Sequence, residues 1–153
     1  AAGSDYRIMA YFSESGTGSG TKYRLSKFTD IYELNNNAAN RPSDLILGIN
    51  MIRIPEMYYI AAEALLESDY DRALELYNPV RQHRGLEPLT DKPLTVELIN
   101  DERYKEMIGE GQTYFNMKRQ NLPILSHDGK TTYQPSAGIY AIPIPDAEKE
   151  NRN

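Results

Sequence analysis

Three glutamates at four-residue intervals, Glu102, Glu106 and Glu110, carry the densest chemistry in this chain. Residues four apart share one face of an α-helix, so three carboxylates in a row suggest a metal site or an acid pair. Helical carboxylate metal sites usually add a histidine in a Glu-x-x-His spacing, and no histidine stands near this row. A glycosidase pair flanks its scissile bond from two sides, about 5 to 9.5 Å apart, which one helix face does not provide. Arg103, Lys105, Lys118 and Arg119 lie close by in sequence. The row therefore reads as a structural charge network, made of Arg53, Glu63, Arg103, Glu106, Glu110, Lys118 and Arg119. Within it, Arg103 and Glu106 are expected to act in structure.

Other chemistry is excluded by type and spacing. The chain has no cysteine, so disulfides, thiolate catalysis and zinc–thiolate centres are ruled out. His83 and His127 are isolated, one in a cationic helix end and one in a turn. No G-x-S-x-G motif occurs, and Gly16–Gly20 lacks the Lys-Ser/Thr of a phosphate loop. We therefore expect no catalytic residue, no metal, no cofactor and no enzymatic activity. A net charge of −5 argues against nucleic acid as a partner. No apolar run approaches the roughly 18 residues of a membrane-spanning helix. Twelve tyrosines and no tryptophan provide amphipathic faces suited to packing seams or to sugars. Tyr11, Tyr23, Tyr133 and Tyr140 fall in segments that read as extended or loop. They are the candidate carbohydrate-contacting residues.

The elements that must position these groups follow from periodicity. Asp5–Phe12 and Thr21–Phe28 have strand length and flank SESGTGSG, which predicts a β-hairpin with an eight-residue tip. Asn35–Pro42 reads as a polar loop, and Asp44–Asn50 leads to the first helix. Pro55 suits the first turn of that helix, and Met57, Ile60, Ala61, Ala64 and Leu65 recur at helical spacing. A second helix, which Asp69 or Asp71 can cap, carries Ala73, Leu74, Leu76, Tyr77 and Val80, and ends at Arg81, Arg84 and Gly85. Pro79 lies within it and is expected to kink it near Glu75–Tyr77. Thr95 caps a third helix from Val96 to about Ile108, with another short helix over Thr113–Gln120. From Asn121 the chain is expected to form a loop-rich tail wrapping over the helices.

The fold class is thus mainly α: a tetratricopeptide-like helical hairpin plus further helices, an N-terminal β-hairpin and a loop-rich C-terminal tail. One domain spans 1–153, with hairpin and loop in 1–50, a helical core in 51–120 and the tail in 121–153. A lone tetratricopeptide-like pair is too little for a solenoid, which needs about three repeats.

The motifs in order are more specific. Arg53-x-x-Glu56-x-Tyr58-x-x-Ala61-Ala62-Glu63-Ala64, then Val80-Arg81-x-x-Arg84-Gly85-Leu86, resemble the helical hairpin in the C-terminal half of the SusD/RagB family. Glu102-Arg103-x-x-Glu106, Glu110-Gly111, Phe115 and Lys118-Arg119 resemble the charged element that follows it. Ile142-Pro143-Ile144-Pro145 with Glu148 and Asn151 resembles the family's closing signature. Asn116-Met117 stands where the family has aspartate–leucine, and Gln112-Thr113 where it has an arginine after Glu-Gly. The resemblance implies a non-enzymatic glycan-binding and uptake protein of Bacteroidetes. It implies a surface-exposed lipoprotein of the cell outer membrane, working with a TonB-dependent SusC-like transporter. It also implies that this chain is the C-terminal portion of a longer protein, with the lipid anchor on a missing N-terminal segment. The glycan site would then lie largely upstream, and no tight binding of starch-like glycans by this portion is expected. The alternative is a tetratricopeptide-type protein–protein interaction module. If the chain is such a portion, the face carrying Met57, Tyr58, Ala61, Leu65 and Tyr77 is expected to be partly exposed and to drive self-association or contact with another chain.

Overall fold

The computed structural model describes residues 5–16, 18–28, 52–141, 143–146 and 148. The expected loops at 35–42 and 44–50, together with Ile142 and Asn151, lie outside the described residues. Two compact units make up the chain, Ala1–Gly109 and Glu110–Asn153. The division falls inside the stretch expected as one helical core.

In the first unit the segment expected as a first hairpin arm is largely helical. Helix α1 (Tyr6–Tyr11) is capped by Asp5, whose carboxylate accepts from the Arg7 amide at 3.0 Å. Six residues are too few to be stable as an isolated helix. The inward pull on Arg7, which is 3% exposed, holds this one in place. The apolar alternation of DYRIMAYF fits a short helix as well as a strand, which is why periodicity misassigns it. Strand β1 is instead the polar run Phe12–Ser15, antiparallel to β2 (Lys22–Leu25), with Phe12 opposite Leu25 and Ser15 opposite Lys22. The hairpin exists, then, but its tip is 16–21 and not 13–20.

Helices α2 (Ile54–Leu65) and α3 (Tyr70–Gln82) form the expected antiparallel pair. Pro55 occupies the first turn of α2, and α3 runs through Pro79. Asp69 caps α3 by accepting from the Arg72 amide at 3.1 Å. Its end is a Schellman-type turn, with Leu86 N–H donating to the Arg81 carbonyl at 3.1 Å across Gly85 at φ +76°. Helix α4 (Val96–Glu106) is capped by Thr95, whose hydroxyl accepts from the Leu98 amide at 3.3 Å. The linker before it is pinned at both ends: Asn78 Oδ1 accepts from the Leu89 amide at 2.7 Å, and Tyr70 Oη from the Leu94 amide at 2.7 Å.

Ala62 and Ala73 are fully buried in the core, where small side chains let α2 and α3 approach closely. Tyr59 and Tyr77 fill the space around them, rings 6.4 Å apart and inclined at 56°. Val80, Leu89, Leu94 and Ile99 complete the cluster. The face expected to be exposed is therefore divided. Tyr77 is core, whereas the outward stripe on α2 is Ile54, Met57, Ile60 and Ala64.

The second unit holds α5 (Gln112–Gln120), the two-residue strands β3 (Ile124–Leu125) and β4 (Thr132–Tyr133), and α6 (Ala137–Tyr140). The tail is thus less irregular than its composition implies. The expected His-Asp-Gly-Lys turn links β3 to β4: Asp128 Oδ1 accepts from the Ser126 hydroxyl at 2.6 Å and from the Lys130 amide at 3.1 Å. Tyr140, expected in an extended run, ends α6. It is buried, with its ring 5.7 Å from that of Tyr114 and its hydroxyl donating to the Leu122 carbonyl.

Candidate functional site: a buried charge cluster and the groove beside it

Helix α4 presents Glu102 and Glu106 one turn apart on its inner face, 3% and 0% exposed. The chain reverses after Glu106, with Gly109 at φ +80°, so Glu110 lies beyond the helix and belongs to the second unit. The expected row of three is in fact a pair. Buried carboxylates need charged partners. Glu106 receives Arg53 Nη2 at 2.5 Å, Arg84 Nε and Nη2 both at 2.8 Å, and the Tyr11 hydroxyl at 3.2 Å. Glu102 receives Arg7 Nη2 at 2.8 Å, Lys105 Nζ at 2.9 Å and Arg81 Nη1 at 3.4 Å. Arg7 also pairs with Asp5 at 2.7 Å. The last carbonyls of α4 are covered by cations too: Lys27 Nζ reaches Glu106 O at 2.7 Å and Arg53 Nη1 reaches it at 3.0 Å.

The electrostatics follow from these distances. Burial alone would raise the Glu106 carboxyl, but the hydrogen bonds and charges of Arg84 and Arg53 outweigh it and hold the group below the usual carboxylate range. Asp5 is lowered in the same way, with Arg7 outweighing burial. A proton donor working near neutral pH needs the opposite shift. The arrangement around Glu106 stabilises an anion and fixes five chain segments on it: α1, the turn after β2, the start of α2, the end of α3, and α4.

Arg103 Nη2 bonds Glu63 Oε2 at 3.1 Å, tying α4 to the last turn of α2. Lys118 and Arg119 are exposed on α5 in the second unit, where Arg119 Nη2 donates to Asn116 Oδ1 at 2.8 Å. The residues that sequence reasoning left out of the network are Asp5, Arg7, Lys27, Arg81, Arg84, Glu102 and Lys105. A charge in mid-run in DYRIMAYF was the one local sign of Arg7. Arg81 and Arg84 carried a sign as cations of a helix end and as members of the Val80–Leu86 motif. Among the described residues no group of three or more acidic or histidine side chains is placed to hold a metal.

Two of the four carbohydrate candidates are not exposed platforms. Tyr140 is buried, and Tyr11 is half-buried with Lys27 Nζ 4.2 Å from its ring centre. Both were placed in open segments by apolar patterns that belong to short helices. Tyr23 on β2 and Tyr133 on β4 are exposed. Beside the cluster lies an open groove of about 530 Å³, whose lining includes Tyr104, Tyr11, Phe12, Arg81, Lys105 and Glu102. A smaller pocket of about 280 Å³ lies between the start of α2 and the end of α3, at Ile54, Tyr58, Pro79 and His83.

The model of the SusD family matches residues 6–152. The chain belongs to the SusD family. Its fold is shared with a SusD-like carbohydrate binding protein from Bacteroides vulgatus, at TM-score 0.67 and 20% identity over 96% of this chain and 37% of that one. A SusD superfamily protein from the same organism matches at TM-score 0.53 and 27% identity, over 86% of this chain and 28% of that one. The chain thus spans about a third of the length of these solved relatives. No curated protein matches it. Among the described residues no helix is long and apolar enough to cross a membrane.

Proposed function

We propose that this SusD-family chain is part of a non-enzymatic glycan-capturing lipoprotein of the outer membrane that hands its ligand to a TonB-dependent SusC-like transporter. The match to the SusD family over residues 6–152 is the observation that carries this reading. A structural relative described as carbohydrate binding agrees with it. So does the charge cluster, in which arginines hold Glu106 as an anion. Arg53, Glu63, Arg103 and Glu106 serve, in this proposal, to lock the helices in register. Affinity electrophoresis of the native protein through a panel of polysaccharides tests the reading. Retardation by at least one polysaccharide, without release of reducing ends, is expected, as is copurification with a TonB-dependent transporter from detergent-solubilised outer membranes. Indifference to every polysaccharide, or reproducible release of reducing ends, refutes it.

The interaction-module alternative has one observation in its favour: Ile54 and Ile60 are 73% and 47% exposed on one side of α2. An apolar helix face of this kind takes another helix. Light scattering over a concentration series measures whether a second copy fills that role.

A further inference from the structure

We infer that the groove between α1 and α4 is a subsite for an acidic oligosaccharide, with Tyr104 as the stacking platform and Lys105 and Arg81 as the carboxylate-binding cations. This rests on the carbohydrate-binding reading and adds to it a place and a class of sugar. The groove's volume of about 530 Å³ lies within the range of small-ligand sites.

Its lining combines aromatic and charged side chains. Tyr104 is 55% exposed, yet it stands on a helix whose neighbouring residues Glu102 and Arg103 are buried and ion-paired. The residue is thus fixed at its base, and its side chain is exposed and lines the groove. Phe12, half-buried, adds apolar surface to the lining. A pyranose ring presents C–H groups on one side and hydroxyls at its edge, and an amphipathic aromatic wall matches that pattern.

The lining is charged as well, and its charges do not cancel. Arg7, Arg81 and Lys105 face Asp5 and Glu102, three cations against two carboxylates. Glu102 alone is shared by all three cations, at 2.8, 3.4 and 2.9 Å. The groove is therefore locally cationic in a chain of net charge −5. A ligand carboxylate can join this set by accepting from Lys105, whose side chain is 51% exposed and free to turn outward, while Arg7 stays on Glu102. Arg81 is already oriented by the Glu87 carbonyl at 3.1 Å and by the Tyr77 ring. Donors held this way lose little freedom on binding. Vicinal hydroxyls could then bridge Lys105 and Glu102. A neutral glycan would gain the stacking but not the charge pairing.

Titration calorimetry of the 153-residue chain with tetragalacturonate, and with maltotetraose as the neutral probe, tests the inference. Heat is expected with tetragalacturonate only, weakening as salt is raised. Tyr104→Ala is expected to weaken it about tenfold through lost stacking, and Lys105→Met about tenfold through the lost charge-assisted bond. Both side chains are exposed, and unchanged circular dichroism spectra would show that the fold persists. Binding of tetragalacturonate that neither variant alters overturns the groove but leaves the family reading intact. Equal binding of both probes overturns the acidic class. No heat with tetragalacturonate overturns the subsite, and the glycan reading then stands or falls separately on the polysaccharide panel. An acidic peptide that competes with tetragalacturonate and binds more tightly would reassign the groove to a protein partner and overturn the inference.

Discussion

Replacing Glu106 with alanine removes the anion on which Arg53, Arg84 and Tyr11 converge. The carboxylate is 0% exposed, and breaking one side of a buried ion pair costs about 3–5 kcal/mol. Here the cations soften the loss, because the Arg53 and Arg84 side chains retain 21% and 24% exposure and can recruit water. The lower end, about 3 kcal/mol, is the expected figure. For a chain of this size that corresponds to a fall of about 10 °C in Tm. The exposed pair Arg72–Glu75, at 57% and 64% exposure, is the internal control: Glu75→Ala should cost about 0.5 kcal/mol or less. Urea unfolding followed by circular dichroism separates the two. The pH dependence has a definite sign. Glu106 is lowered in the folded state, so its contribution is complete above the unfolded carboxyl value and disappears as pH falls through the folded one. Stability of the wild type should hold down to about pH 4.5 and then decline, and Glu106→Gln should flatten part of that decline. Equal midpoints for Glu106→Ala and Glu75→Ala, or an unchanged acid slope in Glu106→Gln, would show that burial of this carboxylate does not stabilise the fold.

Two further outcomes are expected. Gly109 has φ +80°, and a Cβ there would come within 2.9 Å of Leu25 Cδ2 and 3.1 Å of Phe28 Cε2, so Gly109→Ala combines backbone strain with a clash. Gly111 has φ +76° and open space around it, so Gly111→Ala should cost only the backbone part, about 1 kcal/mol; thermal midpoints that rank the two the other way would contradict the contact. No described residue hydrogen-bonds the Tyr59 hydroxyl, which is buried, so Tyr59→Phe should leave stability unchanged or raise it by up to about 1 kcal/mol; a clear loss in urea would reveal a hidden partner.

The sequence by itself set whatever depends on neighbours within one turn. Asp69 and Thr95 cap their helices because a short side-chain oxygen reaches an amide two or three residues on, and Gly85 closes α3 because it accepts a left-handed φ. The order of motifs carried the family for the same reason: they are contiguous in sequence. The pairing of Glu102 and Glu106 on one face was readable from their spacing, but the place of Glu110 was not, since α4 ends before it. Tertiary structure decided which cation each carboxylate receives. Arg7 lies 95 residues from Glu102, and Arg53 lies 53 residues from Glu106. Nothing local selects them from the 17 lysines and arginines of the chain. It also decided that Tyr6–Tyr11 is a helix, because the buried bonds of Arg7 outweigh the small conformational preference of six residues. Burial of Tyr140 and exposure of Tyr104 were decided there too, since a tyrosine has a packing face and a wet end and only the surrounding packing determines which is used.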